Sequence, residues 1–268
     1  MTTPATTTTD GRDVRAKTLR GLLLARELDT ARHKRGFTTR NLAEQMSMSP
    51  AMLNRVMTGR RVPTALEIGG LCSLLDIHPT RRPHLYRLTA DADLTDWLLR
   101  PGTEGDTVSS IEQIAETITW VDPTTIPRPL RTTAYHDAIT RNAGEEPFPA
   151  PPQNTRAGKS FIHTQALTHP GIPGETMREQ LRHLRDTTPG NIRLLPAASP
   201  PHPGFRLLEI DHFPPVVHIN HHGTHILLEH PESTTPYTAL CRTLETIALT
   251  TGHTRRVLND LATHGRHR

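Results

Sequence analysis

The chain has 268 residues, 34% of them hydrophobic and 22% charged, and its formal net charge of +4 conceals a split: Arg12 to Arg87 holds 15 basic and 6 acidic side chains (+9), leaving 16 basic and 21 acidic (−5) elsewhere. Clustered like charge repels itself unless a polyanion relieves it, so the split points to a basic nucleic-acid module joined to an acidic body, in a chain long enough for two cores. The composition excludes a disulfide framework or cysteine zinc site, since only Cys72 and Cys241 occur, each in an apolar helical pattern; no run of about eighteen apolar residues suggests a membrane span, and the threonine-rich start lacks a signal-peptide core, so a soluble cytoplasmic protein is expected.

Residues 1–15 read as a disordered polar tail. Leu22, Leu23, Ala25, Leu28 and Ala31 then set a helical pattern that runs to Arg35 and stops at Gly36. Thr38 or Thr39 caps a shorter helix with Leu42, Ala43 and Met46 on its apolar side, ending in a turn at Ser47-Met48. Ser49-Pro50 combines a cap with proline at the first helical position, opening a third helix that buries Leu53 and Val56 and ends at Gly59. A fourth helix spans about Ala65 to Leu75 and a fifth Arg81 to Leu88. Short helices with a tight turn in a basic segment predict an all-α helix-turn-helix DNA-binding domain over residues 16–90.

Three stretches carry a family likeness: Thr38-Thr39-Arg40-Asn41-Leu42-Ala43-Glu44-Gln45-Met46, Ser49-Pro50-Ala51-Met52-Leu53-Asn54-Arg55-Val56 and Gly59-Arg60-Arg61-Val62-Pro63. Over Leu22 to Leu75 the chain resembles the xenobiotic-response-element (XRE, lambda-repressor-like) DNA-binding domains. The resemblance implies that the third helix enters the major groove by its N-terminal half, with Pro50, Ala51, Met52 and Arg55 outward. Arg55, with its fork of donors, is the candidate for guanine O6 and N7, while Ala51 and Met52 offer apolar contact to a thymine methyl. Thr39, Arg40, Ser49, Arg60 and Arg61 are expected at phosphates, and Asn54 suits either set. Domains of this type usually read two symmetric half-sites of double-stranded DNA, which implies a homodimer. The family commonly carries a glutamate two residues before the glycine, paired with a first-helix arginine; here that position is Met57, so Arg32 is expected to turn outward, toward DNA.

The body, residues 91–268, alternates differently. Pro101 to Asp106 reads as a loop, and Ser110 as the cap of a helix with Ile111, Ile114, Ala115, Ile118 and Val121 at three- and four-residue spacing. Pro123 to Pro129 forbids helix, Thr133 to Arg141 resumes one, and the proline-rich Gly144 to Gly158 reads as an extended loop. Phe161 to Gln165 is a strand candidate and Gly174 to Asp186 a helix. Strands follow at 192–195, 205–210, 216–220 and 224–229, the last two joined by a turn at His221-His222-Gly223, before helices over Tyr237 to Leu249 and Arg255 to His264. Strands grouped in sequence and bounded by helices predict α+β with a mostly antiparallel sheet.

Trp97, Ile111-Glu112-Gln113-Ile114-Ala115, Ile126 to Tyr135, Met177-Arg178-Glu179-Gln180-Leu181, Arg193-Leu194-Leu195-Pro196 and His202-Pro203-Gly204-Phe205 are similar to the C-terminal domain found behind XRE modules in actinobacterial, WhiJ-like regulators. Where that family usually shows Pro-Gly-Leu-Leu-Gln-Thr this chain has Pro127-Arg128-Pro129-Leu130-Arg131-Thr132, and Gln165 stands where it has glutamate. The likeness implies a transcription regulator whose C-terminal domain senses a protein or a small-molecule ligand. The alternative reading is an antitoxin-like protein that sequesters a small basic partner and autoregulates, to which an acidic body is electrostatically suited.

His218, His221, His222 and His225, within a chain of 17 histidines, raise a metalloenzyme as a third reading. Alternation along a hairpin works against their convergence, so solvent-facing or core-satisfied imidazoles are expected, with no metal site or cofactor. Glu209 and Asp211 read as a solvated strand face, and the chain has no phosphate-binding glycine loop, nucleophile elbow or zincin motif, so no catalytic set is assigned.

Overall fold

The computed structural model describes residues 16–100, 105–143, 157–187, 191–221 and 223–264. The expected tail and most of the proline-rich loop lie outside them. The chain forms two compact units, one ending at Thr95 and the other beginning at Asp96. Among the described residues no helix is long and apolar enough to cross a membrane.

The first unit consists of α1 (Leu19–Lys34), α2 (Thr39–Gln45), α3 (Pro50–Met57), α4 (Ala65–Leu74) and α5 (Arg82–Ala90). Thr18, Thr38, Ser49 and Thr64 cap the first four, each side-chain oxygen accepting a first-turn N–H that would otherwise lack a partner. Gly36, at φ 72°, ends α1; its N–H donates to the His33 carbonyl, and that of Phe37 to Arg32. Between α2 and α3 the left-handed residue is Ser47, at φ 53°, a conformation that costs a non-glycine residue about 1 kcal/mol. Leu19, Leu28, Leu42, Leu53, Ile68, Leu71 and Leu85 are fully buried. Each contributes roughly 1.5–3 kcal/mol, which readily offsets the strained turn. The Thr18 hydroxyl donates to the Ala92 carbonyl and Arg20 to that of Leu94, fastening the segment after α5 to the start of α1.

The second unit runs β1 (Trp97–Leu99), α6 (Gly105–Ile114), β2 (Thr117–Asp122), α7 (Thr133–Ala143), β3 (Ala157–His163), α8 (Gly174–Thr187), β4 (Ile192–Leu195), β5 (Phe205–Glu209), β6 (Val216–His221), β7 (Thr224–Leu228), α9 (Pro231–Ile247) and α10 (Thr251–His264). Its seven strands lie in the order β1-β7-β6-β5-β2-β3-β4. Pairing is antiparallel from β1 through to β2 and parallel from β2 through β3 to β4. The α+β class with a mostly antiparallel sheet is therefore as expected, following an all-α unit. Strand pleating sorts the core into two layers. Phe161 and Leu195 join Val121, Phe205, Val217 and Leu244 of α9. Their neighbours Ile162 and Leu194 join Tyr135, Leu181, Leu184 and Leu258 from α7, α8 and α10.

Several expectations are corrected. Ile118 and Val121 lie in β2 and not in a helix, and Ser110 sits inside α6 instead of capping it. Apolar spacing alone suited a longer helix, but the β-branched and aromatic Thr-Ile-Thr-Trp-Val run buries Ile118 and Trp120 alternately against β5. Gln165 belongs to a 3-10 turn (Thr164–Thr168) after β3. The three-residue β1, too short for a periodic signal, was not expected. Helix α9 starts six residues before Tyr237 despite Pro236, because its first turn is held from outside: Asp96 Oδ1 accepts the Glu229 and His230 N–H groups at 2.8 and 3.0 Å, and Oδ2 the Ser233 hydroxyl at 2.6 Å. Gly158 is the second residue of β3 and no part of a loop.

Candidate nucleic-acid interface

Helix α3 divides cleanly. Leu53, Val56 and Met57 are buried, whereas Pro50, Ala51, Met52, Asn54 and Arg55 are exposed. The pattern follows from helical spacing: Leu53 and Val56 are three apart and dock on the core, so the positions between them and the N-terminal turn face outward. Ser49 is exposed and accepts the Met52 N–H at 3.2 Å, which presets the N-terminal turn. At the other end the Thr58 hydroxyl donates to the Asn54 carbonyl and the Arg61 N–H to that of Arg55, drawing the Gly59 turn back against the helix. Gly59 has φ 72°, and a Cβ there would lie 2.8 Å from the Ala16 methyl, so the turn is specific to glycine.

Thr39 is half-buried at the first position of α2 and Arg40 beside it is exposed. Arg60 is exposed directly after the Gly59 turn. The structure thus brings Ser49 to Arg55 together on one helix and leaves Thr39, Arg40 and Arg60 on flanking segments of the same unit.

Arg61 stands apart from this group. Its guanidinium engages both carboxylate oxygens of Glu67 at 2.9 Å, and Glu67 in turn accepts the Thr64 N–H at 2.7 Å in a capping box at the start of α4. The Arg61 hydrogen bond, ahead of the Thr64 contacts, holds the Glu67 carboxyl below its usual range. The pair joins the loop after α3 to α4. The Thr-x-x-Glu spacing of Thr64 and Glu67 is visible in the sequence, but the arginine that completes it is not.

The expectation for Arg32 is overturned. Its side chain is only 12% exposed and forks onto Asp29 one turn earlier, with Nε–Oδ1 at 2.9 Å and Nη2–Oδ1 at 2.7 Å, while Nη1 donates to the Phe37 carbonyl at 2.7 Å. Met57, at the usual glutamate position, is buried as an ordinary core residue. A carboxylate three residues back on the same helix replaces the one lost from α3, which keeps the buried guanidinium compensated. Asp29→Ala is expected to lower stability by about 1.5–3 kcal/mol, as a charged hydrogen-bond partner is lost. Arg35→Ala, which removes an exposed ion pair to Asp76, is expected to cost below ~1 kcal/mol. Urea midpoints of the two variants, if equal, would refute this account.

Comparison with known families completes the picture. A family model described as a helix-turn-helix domain matches residues 23–85. The first unit is a helix-turn-helix domain. A second model, described as a domain of unknown function (DUF5753), matches residues 150–260. No curated protein matches the chain. Among solved structures, the clp gene regulator ClgR from C. glutamicum is 23% identical over 29% of this chain and 97% of its own, with a TM-score of 0.24. TrmBL2, described as an archaeal chromatin protein with a novel mode of DNA binding, is 10% identical over 80% of this chain and 87% of its own, with a TM-score of 0.28. Scores this low transfer no architecture from those proteins to this one.

In the second unit two of the four clustered histidines meet, against the expectation from hairpin alternation. His218 and His225 are buried and stacked, ring centroids 5.0 Å apart, with Nε2 of the first 2.9 Å from Nδ1 of the second. His221 is exposed, and His222 lies outside the described residues. Among the described residues no group of three His, Cys, Asp or Glu side chains is placed to hold a metal ion.

Proposed function

We propose that the chain is a sequence-specific DNA-binding transcriptional regulator of XRE type, in which α3 of the helix-turn-helix domain enters the major groove. The exposed Pro50–Arg55 face, directed outward while Leu53 and Val56 anchor it, carries this reading. Arg55 reads guanine, Ala51 and Met52 meet thymine methyls, and Asn54 assists. Thr39, Arg40, Ser49 and Arg60 fix register on phosphates. Arg61, engaged by Glu67, serves the phosphate-facing set by positioning the loop that carries Arg60. Two copies related by a twofold axis would read two half-sites about 34–36 Å apart.

Arg55→Ala is expected to cost about 1–3 kcal/mol on the preferred sequence and little on random DNA, flattening base preference. Arg60→Ala is expected to weaken both alike and to reduce the salt slope by about one. Binding titrations over a range of salt separate the two; equal losses on operator and random DNA for both variants would sink the assignment.

The second unit, which includes the DUF5753 match, is proposed to receive the signal, as a WhiJ-like sensing domain, and a cavity of about 520 Å³ in it supports a small ligand. The −5 charge outside Arg12–Arg87 also suits a small basic partner in an antitoxin-like arrangement. Co-purification with such a protein, disrupted by salt, is the observation that would favour this second reading.

A further inference from the structure

The cavity in the second unit is floored by one row across the sheet. Trp120, Arg206 and His218 stand opposite one another on β2, β5 and β6, so the pleat delivers all three to one face. Their neighbours Val121, Phe205 and Val217 enter the apolar layer beneath α9 on the other face. Arg206 packs its guanidinium 4.2 Å from the Trp120 ring centre and pairs with Glu112 of α6. Two further guanidiniums line the same space, Arg128 from the 3-10 turn Arg128–Leu130 and Arg131 just after it. Arg131 is held in place by donating to the Ile126 carbonyl at 2.6 Å and to the Thr125 hydroxyl at 3.0 Å.

Three arginines thus face the cavity. Asp122, the one carboxylate among its lining residues, is turned to its own loop: Oδ1 accepts the N–H groups of Thr124 and Thr125, and Oδ2 the Thr125 hydroxyl. The positive field registers on the buried histidines. Burial first, then Arg206, holds His218 well below the usual imidazole range, and burial, Arg206 and Arg128 lower His225. His218, 1% exposed, spends Nε2 on His225, while its buried Nδ1 has no hydrogen-bond partner among the described residues. A buried polar atom of this kind costs stability unless a partner reaches it.

We propose that this cavity binds a small organic oxyanion, a carboxylate or a phosphate monoester, gripped by Arg128 and Arg131 and oriented by Nδ1 of His218. Forked guanidiniums match the two oxygens of such groups, and the volume lies within the range of small-ligand sites. The proposal rests on the reading of this domain as the sensing half of a regulator.

The test titrates the full chain with succinate and with glycerol phosphate at fixed ionic strength, using succinamide and glycerol as neutral counterparts, by calorimetry and thermal melting. Fixed ionic strength removes general screening as a cause. At least one anion is expected to bind and raise the melting temperature while its neutral counterpart does neither; the better arm identifies the headgroup. Arg128→Gln is expected to weaken binding roughly tenfold or more, and Arg128→Lys, which keeps the charge and loses the fork, by less. His218→Asn provides a second variant should the first fail to fold. Absence of binding by both anions, or undiminished binding in Arg128→Gln and His218→Asn, would overturn the proposal. DNA affinity measured alongside separates the two readings: anion binding that leaves DNA affinity unchanged upholds the site and removes its sensing role, whereas DNA binding without anion binding removes the site alone.

Discussion

Gly158→Ala is expected to keep the second unit from assembling its sheet. A Cβ at that position would stand 2.2 Å from the carbonyl oxygen of Ile118, 2.5 Å from its carbonyl carbon and 3.0 Å from its nitrogen. All three are backbone atoms of the neighbouring strand, so no rotamer change relieves the overlap. The register shows why the strands come so close. Ile118 opposes Ala157 and Trp120 opposes Ser160, so β3 carries one residue more than β2 over the same span. An extra residue of this kind kinks its strand toward the partner, and glycine is the residue that admits the approach. The β2–β3 pair joins the antiparallel part of the sheet to β4, so the cost is not confined to a loop. A loss of about 4–5 kcal/mol or more is expected, at the severe end for a single substitution. Gly174→Ala provides the comparison: a Cβ there meets nothing within 4 Å, and the change is expected to stay within about 0.5 kcal/mol. Urea unfolding followed by far-ultraviolet circular dichroism distinguishes them, and a Gly158→Ala midpoint equal to the parent's would rule out the close approach.

The second large effect concerns the ion pair beneath the cavity. Arg206 and Glu112 have side chains only 13% and 10% exposed, and burial acts to lower the arginine's pKa while Glu112 acts to raise it. Removing one member of a buried pair leaves the other charge desolvated without compensation, which costs about 3–5 kcal/mol. Glu112→Ala is therefore expected to lower the melting temperature by roughly 6–20 °C for a domain of this size. Glu112→Gln keeps an acceptor and should lose less. The double variant Glu112→Leu with Arg206→Met, which removes both charges and fills the space with apolar atoms, is expected to recover much of the loss. A double variant no more stable than Glu112→Ala would mean that packing against Trp120, and not the charge, is what the single change damaged.

The helix-turn-helix unit was largely legible because its signals are local. Caps at Thr38 and Ser49, Pro50 at a first helical position and glycines at 36 and 59 each act within one turn of chain, so their residues alone dictate where helices begin and end. Pro50, Ala51, Met52 and Arg55, which the XRE resemblance implied to face outward, are exposed on α3. Arg32 shows where that reasoning stopped. The family's carboxylate position is a methionine in this chain, and only the folded helix shows Asp29 within reach and Met57 committed to the core. Arg61 shows the same limit, since its partner Glu67 lies six residues away across a cap.

In the acidic body the strands of the β5–β7 meander were readable from alternation and the Gly223 turn, again short-range features. Ile118 and Val121 were misread because a helical spacing and a strand spacing coincide in a short apolar run, and pairing with β5 and β3 decides between them. The sequence by itself determined the basic and acidic segments and the helix boundaries of the helix-turn-helix unit, since charge count and capping are properties of neighbouring residues. Only the tertiary structure decided that Arg206 from β5 lies between Trp120 and His218, and that Arg128 and Arg131 complete one cavity with them. Trp120, Arg128 and Arg131 come from one stretch of chain and Arg206 and His218 from another far along it, and strand register, a cooperative outcome of the whole sheet, sets their meeting.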